Sequence, residues 1–373
     1  VMAAEARPLH ALVTADAVGG VWSYAMTLCR GLRARDVRVT LAVLGPSPGA
    51  AQRLEAASVP GLRLVDTGLM LDWMAPDAAA VRRTGARLAV LAGECGADLL
   101  HLNSPALAAG HRFPVPVLAV CHSCVASWWA AVKPGPLPAE FAWHRDLLAE
   151  GYRAADLLAA PSTAFAAATQ ALYGLTERPR LIHNGIPPWA PPSMPGPAPF
   201  AFTAGRLWDE GKDIVTLDAA AAAGLPFPVL AAGPVEGPGG GRIELRHLRA
   251  QGSLDRPAMR RILAQRPVFA SAARYEPFGL AVLEAAQAGC PLVLSDIPSF
   301  REIWGDAADY AAPGDAAGFA AALRRLAAPR LRRARGEAAR RRAARYTADA
   351  MVAATWNLYR ELVPARAFLE TPA

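Results

Sequence analysis

Glu276 and Glu284 stand eight residues apart in the stretch YEPFGLAVLEAAQAG, separated by a Pro-Phe-Gly turn and the start of an apolar run. A helix completes two turns in about seven residues, so Glu284 falls inside a helix and Glu276 in the loop just before it. Both carboxylates can then face one cavity at the helix N-terminus. Such an end presents unpaired backbone N–H groups and the positive pole of the helix dipole, which favour phosphate. An anion held beside two carboxylates that accept from hydroxyls is the chemistry of a nucleotide sugar. Glu284 is flanked by LAVL and AAQAG, and a carboxylate in so apolar a helix needs a partner, which a ribose diol would supply. The plainer alternative is a solvated helix residue and a loop carboxylate stabilised by the helix dipole.

A second set of groups suits the same ligand. In AGRLWDEGKD, Arg206 directly follows an apolar strand and Lys212 comes six residues later, at the expected start of a helix. Two such cations can bracket a diphosphate, arginine through its fork and lysine as a compact charge, and offset the charge growing on a departing phosphate. Gly19 and Gly20 make a tight turn after the first strand, without the third glycine of a dinucleotide fingerprint. His122 ends the strand PVLAVCHS, where it can bond a sugar hydroxyl or be a satisfied core histidine. Its neighbours Cys121 and Cys124 form a lone Cys-x2-Cys with no second ligand pair at metal spacing, so no metal site is expected.

The elements that must position these groups are legible as alternating strands and helices. LHALVTADAVGGVWSYAMTLCRGLRARDVRVTLAVLG reads as strand, turn, amphipathic helix and strand, the βαβ unit of a parallel sheet, and strand candidates follow at ADLLHLN, PVLAVCHS and DLLAAPS. Asp16, Gly19, Asn103, His122 and Ser162 fall at the carboxyl ends of these strands, where open α/β sheets bind ligands. Residues 186–200, IPPWAPPSMPGPAPF, contain seven prolines and read as a semi-rigid linker. A second α/β series follows, through FAFTAGRL, KDIVTLDAAAAA, PVLAAGP, PVFASAA, GLAVLEAAQAG and PLVLSD. The expected organisation is an N-terminal Rossmann-like domain over 1–185, the linker, a second Rossmann-like domain over 201–345 with a cleft between the two, and a C-terminal segment, 346–373, whose helix packs back on the first.

Composition narrows the setting. With 373 residues, 53% of them hydrophobic, the chain can fill two cores. Five scattered cysteines fit a reducing compartment, so the expected location is the cytoplasm. The uncharged run FPVPVLAVCHSCVASWWAAV is long enough to span a bilayer, but its prolines, histidine and serines make it a buried strand and a loop. The net charge of +7 is concentrated in residues 323–346, with ten arginines against Glu337. Solvated helix faces explain this, and so does peripheral attraction to an anionic inner-membrane surface. No zinc pattern, RNA-binding signature or interleaved aromatics accompany the arginines, so nucleic acid is not an expected partner.

Taken in order, the early Gly-Gly, the strand-end His122, HNG (His183–Gly185), GRLWDEGK and the Glu-x7-Glu of EPFGLAVLE resemble the retaining GT-B glycosyltransferases of family 4 over nearly the whole chain. The resemblance implies transfer of a hexose from a nucleoside-diphosphate sugar, without a metal or other cofactor, to a saccharide, lipid-linked or small-molecule acceptor, as in polysaccharide or glycoconjugate synthesis. It assigns Glu284 to the ribose hydroxyls, Glu276 to the donor sugar, and the backbone of Phe278, Gly279 and Leu280 to phosphate and sugar. By the same resemblance Arg206 and Lys212 would hold the diphosphate with Gly19 and Gly20, His122 would contact the donor sugar near the reacting carbon, and Ser253 and Leu254 would approach the base. Trp73, Trp128 and Trp129 are the expected acceptor-side residues, the last two also candidates for core. Lys212 follows Gly211, whereas the family pattern places lysine before glycine, so the loop here is one residue longer. The competing readings are a GT-B nucleotide-sugar epimerase or hydrolase, favoured by turnover without an acceptor, and a silent nucleotide-sugar-binding protein, which would be free to lose both glutamates.

Overall fold

Every residue of HALVTAD is buried, which is how a strand reads when helices cover both faces of a parallel sheet. This strand, β1 (His10–Asp16), lies inside a sheet that the computed structural model shows with six parallel partners: β2 (Arg38–Leu44), β3 (Leu62–Asp66), β4 (Leu99–Leu102), β5 (Val117–Val120), β6 (Leu157–Ala160) and β7 (Arg180–Leu181), in the order β3-β2-β1-β4-β5-β6-β7. The structure describes residues 7–189, 197–237 and 240–363. Around this sheet lie α1 (Gly20–Arg33), α2 (Ala50–Ala57), α3 (Ala78–Cys95), α5 (Ala142–Ala154) and α6 (Thr163–Tyr173), while α4 (Val125–Val132) starts after β5 and continues into residues of the second unit. The strand order reverses between β1 and β4, which makes the carboxyl ends of those strands the binding edge.

A second parallel sheet runs β10-β9-β8-β11-β12-β13, built from β8 (Ala201–Ala204), β9 (Val229–Ala232), β10 (Arg249–Ala250), β11 (Val268–Ser271), β12 (Leu292–Ser295) and β13 (Ala308–Ala311). Its helices are α7 (Ile214–Ala222), α8 (Arg256–Ala264), α9 (Leu280–Ala288), α10 (Pro298–Trp304), α11 (Ala316–Arg325) and α12 (Pro329–Ala343). Here the order reverses between β8 and β11, so the loops carrying Arg206 and Glu276 leave the reversal point.

The chain divides into two compact units, the first from the described parts of 1–127, 135–185 and 348–373, the second from 128–134 and 186–347. Residues 128–134 thus pack with the second unit, although the sequence reading put them in the N-terminal domain; Trp128 and Lys133 find carboxylate partners on Asp209 and Glu210. A helix, α4, also replaces the loop expected after β5. Of the proline-rich linker, 190–196 lie outside the described residues, while Ile186 bridges to Thr347 and the Ala198 N–H donates to the Gln265 carbonyl at 2.8 Å.

A last helix, α13 (Ala348–Leu362), belongs to the first unit. It contributes Met351, Val352, Leu358 and Tyr359 to the core formed by β1, β2 and α1. It lies so close to α1 that a Cβ on Gly31 would come within 2.4 Å of Val352 Cγ2. The arginine-rich stretch forms the end of α11 and all of α12, and part of it turns inward. Arg332 is buried, with its guanidinium on the carbonyls of Leu326 and Ala327 at 3.2 Å, Arg342 reaches Ile303 and Glu302 at 2.6 and 2.7 Å, Arg335 pairs with Asp309, and Arg324 bonds the Ala223 carbonyl. Arg330, Arg333, Arg340 and Arg341 stay exposed. Among the described residues no helix is long and apolar enough to cross a membrane.

Candidate active site

In the second unit, Lys212 and Glu276 meet. Lys212 Nζ lies 2.6 Å from Glu276 Oε2, with both side chains partly shielded. The loops that carry them are fastened through their backbones, because the Gly211 carbonyl accepts from the N–H groups of Arg274 (2.9 Å) and Tyr275 (3.3 Å), and Arg274 Nε donates to Asp213 Oδ2 at 2.8 Å. Lys212 does not begin a helix, although the sequence suggests a helix start there. It ends a 3-10 turn, Glu210–Lys212, and α7 starts only after Asp213, whose φ of 46° breaks the two apart.

Asp209 organises that turn. Its Oδ1 accepts from the Gly211 N–H at 2.9 Å and the Trp128 indole N–H at 3.0 Å, and its Oδ2 from Arg206 at 2.9 Å. Burial opposes ionisation of this carboxyl, but Arg206, Trp128 and the Gly211 N–H outweigh it and hold the group below the ordinary aspartate range. Arg206 itself remains half-exposed. Trp128 therefore spends its polar edge on the loop beneath Lys212, and Trp129 is half-buried beside it.

Glu276 is anchored by its carbonyl, which accepts from Ser299 Oγ at 2.5 Å. The chain then turns through buried Phe278 and Gly279, whose φ of 92° is left-handed, and enters α9 at Leu280 with no side chain capping its first turn. A Cβ at Gly279 would stand 3.1 Å from Phe300 and 3.4 Å from Glu276 Cγ, so glycine is needed both for the backbone and for the space beside the carboxylate. One turn further, Glu284 is partly buried, and its carboxyl accepts no hydrogen bond from a described residue. Burial raises its pKa, against the nearby positive charges of Arg256 and Arg260. Those two arginines, on α8, carry no signal in the sequence. They come from a segment with no motif, and only folding brings α8 beside α9. Ser253 is exposed and Leu254 half-buried in the loop that leads into α8.

In the first unit, the carboxyl edge carries Gly19, Gly20, Asn103 and His122. Gly19 (φ 87°) and Gly20 are exposed at the start of α1, again without a side-chain cap. His122 follows β5 and bonds through Nε2 to Asn103 Oδ1, after β4, at 2.8 Å. Burial pushes its pKa down to about 4, so the ring is neutral near pH 7. Tyr24 of α1 packs edge-on against it at 4.7 Å. Trp73 lies elsewhere in this unit, half-exposed in a 3-10 turn after β3. Cys121 and Cys124 are buried free thiols. Among the described residues no three His, Cys, Asp or Glu side chains gather as a metal-binding group.

The arrangement offers an uncapped helix start, a lysine, an arginine and two carboxylates on one edge of the second sheet, and a glycine turn with a neutral histidine on the edge of the first. Comparison with known proteins identifies the class. Residues 18–190 match the family model described as Glycosyltransferase Family 4, and residues 244–342 match Glycosyl transferases group 1. The chain belongs to these glycosyltransferase families.

Among solved structures, sucrose-phosphate synthase from Thermosynechococcus elongatus superposes with a TM-score of 0.75 at 20% identity, covering 95% of this chain and 99% of the other. HepE from Anabaena, in complex with UDP-glucose, gives 0.72 at 18% identity over 95% and 100%. WaaG, a glycosyltransferase of lipopolysaccharide biosynthesis, gives 0.69 at 16% over 96% and 100%. These likenesses establish the fold as GT-B, with its two parallel-sheet α/β domains. Glycogen synthase of Mycobacterium tuberculosis is 43% identical over 101 residues, 26% of this chain and 24% of the relative, so the chain spans about a quarter of that protein's length in the match. This glycosyltransferase thus has its donor-side candidates, Glu276, Glu284, Arg206 and Lys212, in one unit, and His122 and the glycine turn in the other.

Proposed function

We propose that this glycosyltransferase takes a hexose from a nucleoside-diphosphate sugar and delivers it, with retention and without a metal, to a hydroxyl of a saccharide or lipid-linked acceptor. The observation that carries the reading is the 2.6 Å pairing of Lys212 with Glu276 directly before an uncapped helix N-terminus. A diphosphate entering there competes with Glu276 for Lys212 and meets the free N–H groups of the first turn of α9. Glu276, relieved of its cation, turns to the sugar hydroxyls, and Glu284 takes the ribose diol. In the transfer step the bond from the anomeric carbon to the phosphate oxygen breaks on the same face on which the acceptor oxygen bonds. The acceptor's proton passes to the departing phosphate, whose charge Arg206 and Lys212 offset.

UDP is the favoured carrier, because HepE, similar over 95% of this chain, was solved with UDP-glucose. The glycogen synthase match supports a growing glucan as one acceptor. The outward arginines of α12 suit an acceptor displayed on an anionic membrane surface.

The test is thermal stability with UDP, GDP, ADP, dTDP and CDP, with EDTA or Mg²⁺, alongside sugar release and transfer from the matching donor. A ligand at a hundred times its Kd adds about 2.7 kcal/mol of apparent stability. UDP should stabilise in EDTA, and Glu284→Ala should abolish that gain. Stabilisation only with Mg²⁺ refutes metal independence, and no response to any nucleotide together with no transfer refutes the donor site.

A further inference from the structure

We propose that Asn103 is a positioning residue that fixes the His122 imidazole as its Nε2–H tautomer, holding Nδ1 as an acceptor for a hydroxyl of the sugar donor. The inference deepens the reading above and rests on it for the identity of the ligand.

The orientation of the Asn103 amide is not free. Its Nδ2 donates to the Thr14 carbonyl at 2.6 Å, and its backbone N–H donates to Thr14 Oγ1 at 2.9 Å. A carbonyl oxygen can only accept, so Nδ2 must be the atom on Thr14, and Oδ1 is the atom left facing His122. Oδ1 also can only accept, so the 2.8 Å contact places the ring proton on Nε2. The second proton of an imidazolium is disfavoured by burial. The titratable groups facing the ring are His101 from β4 and Tyr24 from α1, and neither is a carboxylate that would favour the cation. Nδ1 is therefore an unprotonated lone pair, and no described residue donates to it.

The consequence is selective. A lone pair attracts a group with a proton to give, which a sugar hydroxyl has and an ionised diphosphate lacks. His122 is therefore a reader of sugar hydroxyls and takes no part in holding phosphate. The contact between Tyr24 and the ring, 4.7 Å between centroids at 72°, opposes the ring flip that would undo this.

The tautomer can be observed without substrate. Protein labelled with ¹⁵N-histidine, with His122 assigned by its loss in His122→Gln, should show His122 as neutral and Nε2-protonated from pH 8 down to 5.5. Asn103→Leu should give a mixture of tautomers, whereas Asn103→Asp should keep Nε2–H and raise the ring's pKa. In transfer assays Asn103→Leu should lose ten- to a hundredfold in kcat/KM, and Asn103→Asp should retain more and acquire a pH limb the parent lacks. Donors lacking single hydroxyls should locate one whose removal harms the parent enzyme far more than Asn103→Leu. An Nδ1–H or charged His122 in the parent spectrum overturns the proposal, as does Asn103→Leu with unchanged tautomer or parental kinetics. A parent spectrum as expected, with no turnover of any nucleotide sugar, instead refutes the donor reading and with it the assignment of Nδ1 to a sugar hydroxyl, leaving the tautomer lock standing.

Discussion

Replacing Asp209 with alanine should unfasten the loop under Lys212. The carboxylate is buried, and one of its oxygens serves both the Gly211 N–H and the Trp128 indole. Removing it leaves two donors without acceptors, each costing about 1–3 kcal/mol where burial is complete. Trp128 is half-buried, so its share falls at the low end. The Arg206 partner is 53% exposed, and a pair so open to solvent adds under about 1 kcal/mol. The sum is a loss of roughly 3 kcal/mol, read from urea unfolding of the nucleotide-free protein. Activity should fall further than stability, since the Gly211 carbonyl also holds Arg274 and Tyr275 next to Glu276, and displacing a reacting group by about 1 Å can cost about a hundredfold in rate. Asp209→Asn keeps an acceptor for both neutral donors and should lose only about 1 kcal/mol. The site is held ionised below the usual aspartate pKa, so its contribution is complete above that value and disappears only as pH falls through the lowered one. Both substitutions should therefore show the same effect at pH 6 as at pH 8. An Asp209→Ala protein within 1 kcal/mol of its parent refutes the argument that this carboxylate organises the loop.

Two further outcomes follow from the geometry. Gly279→Ala forces a side chain into a left-handed position against Phe300 and Glu276; it should destabilise by about 1–2 kcal/mol and weaken nucleotide binding in the thermal assay, and unchanged binding would contradict the placement of Glu276. His101 is fully buried and its pKa is pushed down to about 3, first by burial and then by neighbouring His122. A histidine depressed in the folded state contributes no loss above its unfolded pKa of about 6.5 and an increasing one below it, about 2 kcal/mol at pH 5. His101→Asn should remove that part of the fall in stability between pH 7 and pH 5, and an undiminished fall would assign the acid sensitivity to other groups.

How much of this was legible depends on where each residue lies. Strands β1, β2, β4, β5, β6, β8, β9, β11 and β12 stand out as short apolar runs because both faces are covered. The four that do not stand out, β3, β7, β10 and β13, are the outer strands of the two sheets. At an edge, one side lacks a neighbour and the sequence relaxes: β7 and β10 are two exposed residues each, and β3 has no fully buried residue. The site shows the same division. Glu276, Glu284, Arg206 and Lys212 are visible because type and spacing carry their chemistry within one short stretch each. The contact between Lys212 and Glu276 is not, since it joins loops after different strands. In the sequence Asn103 is only a strand-end residue, and its bond to His122 depends on β4 and β5 being neighbours. Asp209 and Arg256 look like ordinary surface charges until the fold gives them partners.

The path of the chain also sets an order of events. The first unit buries Met351, Val352 and Tyr359 of α13 in its own core, and the Tyr359 hydroxyl is the 2.8 Å partner of His101 Nδ1. On a ribosome, residues 7–185 emerge first and must wait for the whole second unit before that helix arrives, about ten to thirty seconds at roughly 5–20 residues per second. During that interval the groove along α1 at Gly31 is open and His101 lacks its tyrosine. The core of the first unit therefore closes only once the unit that carries Glu276 and Glu284 has been synthesised.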